Sequence, residues 1–140
     1  MIRSSFLDNF KTLAVVYDGD CGFCTRSINF SGTLLGQEAP EFIASGRAAE
    51  LLRSAGLPPH LPEQFVLLMD RESDRCIARG ATVFVFLTAI KVKLVFGKRT
   101  AVCFLRVFSY APMRLVLDFL YLQIARVRHR LPGGTENCRL

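Results

Sequence analysis

The sequence predicts an α/β fold, with one mixed β-sheet flanked by helices and additional helices at the C-terminal end. Three observations carry this reading. Two short apolar runs, Leu13-Ala14-Val15-Val16-Tyr17 and Phe65-Val66-Leu67-Leu68-Met69, end in turn residues and have the length of buried strands. Helical spacing follows the first run and recurs beyond the second. The order strand, helix, short strand, helix, hairpin, helices is that of a mixed sheet covered by helices.

Each element has a local reason. The first run is rich in β-branched residues and stops at Asp18-Gly19-Asp20. From Thr25 to about Leu35 the chain suits a helix, and a loop follows near Gly36 to Pro40. Phe42-Ile43-Ala44 reads as a short strand. Arg47 to Ala55 places Ala48, Leu51, Leu52 and Ala55 on one helical face, with Gly56 as the stop. Leu57 to Pro62 is a rigid, proline-rich connector. After the second long strand, Asp70 to Asp74 is a polar turn and Cys76-Ile77-Ala78 a returning strand, making an antiparallel hairpin. Residues 81–91 are ambiguous: β-propensity favours a strand, and the length suits a helix buried on most sides. Gly97-Lys98-Arg99 breaks the chain. Ala101 to Ser109 and Met113 to Arg130 then form a helix pair, with Pro112 opening the second. In that helix Leu117, Leu120, Tyr121 and Ile124 line one side, and Arg114 pairs with Asp118 one turn on.

The 140 residues suit a single domain over residues 1–131, with a loose tail at 132–140. Half the residues are hydrophobic, which excludes disorder. The five cysteines are Cys21, Cys24, Cys76, Cys103 and Cys138. Their odd number and scatter are unlike a secreted disulfide scaffold and fit a reducing, cytoplasmic setting with one working pair. Cys76, Cys103 and Cys138 read as small hydrophobes or, for the last, a tail thiol. The first twelve residues lack the apolar stretch of a signal peptide, and no uninterrupted run is long enough to span a membrane. The net charge of +6 arises wholly in residues 98–140, since the preceding residues balance. The basic run Arg126-Val127-Arg128-His129-Arg130 suits a helix C-terminus, where cations are favoured. It equally suits contact with an acidic partner or a membrane surface. No nucleic-acid-binding motif accompanies the charge.

The richest segment is Asp18-Gly19-Asp20-Cys21-Gly22-Phe23-Cys24. It sets two cysteines at C-x-x-C spacing where the first strand meets a helix. Free N–H groups and the helix dipole favour an anion there, and a thiolate is one. Cys21, nearer the helix start and expected to be exposed, is the candidate nucleophile. Cys24, one turn further in, is placed to resolve a mixed disulfide. Half of a zinc site is the competing reading, but the other donors are scattered and there is no second C-x-x-C, so no metal is assigned. Asp18 either caps the turn or moves protons for Cys24. Asp20 is placed as a helix cap. Gly19 is expected to supply a backbone conformation other residues resist.

The motif Asp18-x-x-Cys21-x-x-Cys24, with its lead-in Val16-Tyr17-Asp18-Gly19-Asp20, resembles the signature of the DCC family of thiol–disulfide oxidoreductases. Arg79-Gly80-Ala81 is similar, with looser spacing, to that family's Gly-x-x-Ala-type segment. The stretch from Tyr121 to Leu131 resembles its C-terminal Tyr-x-x-Ile-Ala-x-x-Arg pattern. The resemblance implies a thioredoxin-like fold and a helix over residues 81–91. It implies dithiol–disulfide exchange by Cys21 and Cys24 with Asp18 assisting. The redox group is then the Cys21–Cys24 disulfide itself, with no other cofactor. The partners are a disulfide-containing protein or small thiol, and a reducing system. Thioredoxin-like proteins also hold a cis-proline beside the dithiol, a place for which Pro62 is the candidate. Unlike thioredoxin, the chain has no tryptophan, and Asp20 precedes Cys21. Without redox chemistry, the same features would describe a zinc-binding or membrane-surface interaction module.

Overall fold

The computed structural model describes residues 4–131. The expected tail at 132–140, including Cys138, lies outside the described residues. Four strands, β1 (Leu13–Tyr17), β2 (Glu41–Ala44), β3 (Leu67–Asp70) and β4 (Arg75–Arg79), form one sheet in the order β2-β1-β3-β4. β2 runs parallel to β1, and β3 and β4 are successively antiparallel. The helices are α1 (Gly22–Leu35), α2 (Ala49–Ser54), α3 (Leu61–Gln64), α4 (Ala81–Phe96), α5 (Lys98–Ser109) and α6 (Ala111–Val127). The architecture is the α/β, thioredoxin-like mixed sheet flanked by helices. β3 starts two residues later than expected and runs through Asp70, so only Arg71–Asp74 link the hairpin.

The two-residue period of the strands divides the core in two. Leu13, Val15 and Leu68 join Ile28 of α1, Val83 and Phe86 of α4, and Leu105 of α5. Val16, Leu67 and Met69 face the other way, onto Ala48, Leu52 and Phe65. β1 is central, so both its faces are covered, which is why it reads as a continuous apolar run. The ambiguous segment is the helix α4. It packs against α1, α5, α6 and β4, and burial on so many sides explains why it lacks a polar face.

α6 inverts the usual rule. Its inward stripe is Leu117, Tyr121, Ala125 and then Arg128 just beyond its end, spaced by four, four and three. Leu120 and Ile124, expected on the inner side, are about half exposed. Arg114 and Asp118 do pair, at 3.8 Å. The Tyr121 ring stacks on Phe65, and its hydroxyl accepts the Val66 N–H at 3.1 Å. Gly80, at φ +63°, lets the chain turn into α4 beside that ring while its own N–H donates to the Val66 carbonyl. Val66, the residue before β3, is therefore fastened through both its backbone groups.

Gly19 has a different reason from the one its sequence position suggests. It has no positive φ; a Cβ built on it would lie 2.8 Å from the Ala44 Cβ at the end of β2. The close approach of the loop after β1 to β2 demands the missing side chain. Gly19→Ala should destabilise the fold by about 1–3 kcal/mol, as overpacking does. Ala44→Gly should recover part of that loss in the double variant. Urea unfolding of the four proteins checks this, and strictly additive losses would contradict the steric account.

Candidate active site

The site forms where β1 gives way to α1. Cys21 is the N-cap of α1, not Asp20, and its Sγ accepts the Cys24 N–H at 3.5 Å. A sulfur in that position receives one of the unpaired N–H groups of the first turn, and these favour negative charge. Asp18 turns back on the same loop, its Oδ1 accepting the Asp20 N–H at 3.1 Å. An Asx turn of this kind is the capping role expected for it. A carboxylate oxygen of Asp18 and the sulfurs of Cys21 and Cys24 all lie within 4.8 Å of one another.

All three groups are buried, Asp18 at only 3 % exposure. The expectation of an exposed Cys21 is thus corrected: it is fully buried, and Tyr17 and Phe23 pack against the two cysteines. Cys24 is a free thiol, and Cys21 is disulfide-bonded outside the pair, so the two are not joined to each other in this structure. Cys76 and Cys103, read as small hydrophobes, are free thiols on exposed residues.

The residue that completes the site is Arg128, one of three arginines in the basic run. It is 4 % exposed. Its Nη1 donates to Cys24 Sγ at 3.2 Å, and its Nη2 donates to the Glu63 carbonyl at 2.6 Å and lies 3.8 Å from Asp18 Oδ2. A planar guanidinium with several donors suits such a three-way contact; a lysine point charge does not. Among charged residues of the run, Arg128 alone continues the inward phase of Leu117, Tyr121 and Ala125, and this spacing was the available sequence signal. It is also the final Arg of the Tyr-x-x-Ile-Ala-x-x-Arg stretch. The residues of that stretch anchor α6: Tyr121 to Val66, Arg128 to the dithiol.

A family model for DCC1-like thiol-disulfide oxidoreductases matches residues 15–134. The chain belongs to the DCC1-like thiol-disulfide oxidoreductase family. The match spans the dithiol loop and Arg128 alike, and thiol–disulfide chemistry is the general function of this DCC1-like chain. No curated protein and no solved structure matches it.

The electrostatics sort the groups. Burial pushes the Asp18 carboxyl above its ordinary value, against the pull of the Asp20 N–H and the Arg128 charge. Burial likewise pushes the Cys24 thiol up; Arg128 opposes this and the Asp18 charge adds to it. Among the described residues the cluster offers three donor atoms, where a structural zinc site takes four, and the Arg128 N–H places positive charge on the Cys24 sulfur. Pro62 lies in the first turn of α3, where proline's fixed φ fits a helix start, and no peptide bond among the described residues is cis. Its neighbour Glu63 supplies the carbonyl that holds Arg128.

A buried carboxyl with a raised pKa favours folding while it is protonated, and that contribution is lost as pH rises through the raised value. Asp18→Asn, which keeps an oxygen for the Asp20 N–H, should therefore match or exceed the wild type in stability at neutral pH. Its advantage should shrink as pH falls from the raised value through the ordinary carboxylate range, and change no further below it. Urea midpoints across pH measure this. A variant weaker at neutral pH, with the deficit closing in acid, would show that ionised Asp18 stabilises the fold.

Proposed function

We propose that the protein catalyses dithiol–disulfide exchange through Cys21 and Cys24, with Asp18 as the proton acceptor and Arg128 as a positioning residue. The observation that carries this reading is the buried cluster of two sulfurs and a carboxylate within 4.8 Å, with a guanidinium on one sulfur. An external thiol reductant first cleaves the disulfide that holds Cys21 and leaves its sulfur as a thiolate. The Cys21 thiolate, at the α1 N-terminus, then attacks one sulfur of a substrate disulfide. A Cys21–substrate bond forms, and the other substrate sulfur leaves as a thiolate. Cys24, held as a thiol by its raised pKa, gives its proton to Asp18 and attacks Cys21 Sγ. The Cys21–Cys24 disulfide forms, the second substrate thiolate leaves, and two electrons have passed to the substrate. An external thiol reductant reverses the process on the enzyme and restores the dithiol. No further cofactor takes part.

Arg128 acts through Cys24 and Asp18. As Cys24 loses its proton, the guanidinium already hydrogen-bonded to it stabilises the developing thiolate in a site where charge is poorly screened. Burial of Cys21 adds an opening step: Tyr17 and Phe23 must move before a substrate disulfide reaches the sulfur. That cover restricts exchange to substrates able to displace it.

The test is a redox titration against glutathione, with thiol labelling read by mass spectrometry. A single two-electron transition joining Cys21 to Cys24 is expected. Cys24→Ser should accumulate a mixed disulfide on Cys21, because the resolving sulfur is gone. If Cys21 pairs only with Cys76, Cys103 or Cys138, or if Cys24→Ser turns over like the wild type, the exchange mechanism fails.

A further inference from the structure

The inverted face of α6 is unused by the redox site. On its outer side Leu115 is 70 % exposed and Phe119 60 %, with Val116, Leu120 and Leu122 also exposed. Soluble monomers rarely leave so many large apolar side chains together on one helix, and such surfaces mark an interaction. The charges beside it have one sign. Arg126, one turn beyond Leu122, is exposed, as is Arg130 after the helix. The only acidic residue of α6, Asp118, is turned to Arg114. On the preceding helix Arg99 and Arg106 are exposed as well.

We infer that α6 docks in the plane of an anionic lipid surface, its apolar side chains among the acyl chains and its arginines at the headgroups. Charge chooses this occupant. A second copy of the chain would bring Arg126 and Arg130 of both molecules against surfaces of the same sign, whereas an anionic bilayer complements them. An apolar face with arginines beside it is the pattern of an interfacial helix. The geometry favours lying on the bilayer over crossing it. Among the described residues no single helix is long and apolar enough to span a membrane. α5 and α6 reach the required length only together, and they meet at a 77° bend. α6 also carries Tyr121 on its inner side, and the chain reaches Arg128 immediately after it, so the surface that meets lipid is the back of the helix that braces the dithiol.

Co-sedimentation with phosphatidylcholine vesicles, with and without phosphatidylglycerol, tests this on the full chain. Binding should appear with the anionic vesicles and weaken at least about tenfold in high salt. Phe119→Glu should abolish it and Arg126→Glu weaken it. Both side chains are solvent-exposed, and circular dichroism confirms that each variant is folded. Cys21→Ser should bind vesicles like the wild type, which separates this inference from the redox reading. Protein left in the supernatant with anionic vesicles overturns the proposal. So does wild-type binding by both folded charge variants. A dimer in sedimentation equilibrium that Phe119→Glu splits assigns the face to a second copy and also overturns it.

Discussion

One guanidinium joins the two ends of this fold. Arg128 donates to the Cys24 sulfur, holds the Glu63 carbonyl and faces the Asp18 carboxylate, and Arg128, Cys24 and Asp18 are all buried. A buried cation is costly unless it is paired and hydrogen-bonded, and two hydrogen bonds with an ion pair to Asp18 offset that cost. The acceptors come from α1, α3 and the loop after β1, whereas the cation comes from the end of α6. The dithiol loop and the C-terminal helix therefore form one unit: displacing α6 would strip the site of its positive charge and leave a buried carboxyl and thiol to settle their charges alone.

The rest of the C-terminal region serves that placement. Tyr121 closes the Val66 N–H, Gly80 closes the Val66 carbonyl, and Phe65 stacks on the Tyr121 ring. These contacts set the phase of α6 about its axis, so that Ala125 and Arg128 turn inward. The same rotation leaves Leu115 and Phe119 outward. The apolar outer face is a consequence of a helix whose phase is set by Tyr121 and Arg128, and it is available for a second task.

The parts of the fold legible in the sequence are those where burial leaves a simple period. β1, β3 and the hairpin show alternating or continuous apolar patterns bounded by turn residues. α4 could not be settled by pattern, because a helix covered on most sides shows no amphipathic stripe, and the family resemblance decided it. The inner face of α6 was misread for a related reason: choosing its largest apolar residues assumes that these face the core, whereas Ala125 and Arg128 do. Cys21 and Cys24 were singled out by their spacing, whereas for Asp18 the residues left a turn cap and a proton carrier open and the family resemblance favoured the second. Arg128 was hidden among alternating arginines, since local charge gives Arg126, Arg128 and Arg130 the same meaning and only tertiary structure separates them. Gly19 was identified as necessary, but the neighbour that makes it so, Ala44, lies on another strand.

The account turns on the electrostatic contact between Arg128 and Cys24. Its most direct measurement is the Cys24 thiol titration in the reduced protein, followed by ¹³C NMR of the labelled cysteine β-carbon, in the wild type and in Arg128→Met. The account predicts that the Cys24 pKa, already raised by burial, rises further when the guanidinium is removed, because the one strong group favouring the thiolate is lost. An unchanged or lower Cys24 pKa in the folded variant would contradict it and reduce Arg128 to a structural tether on Glu63.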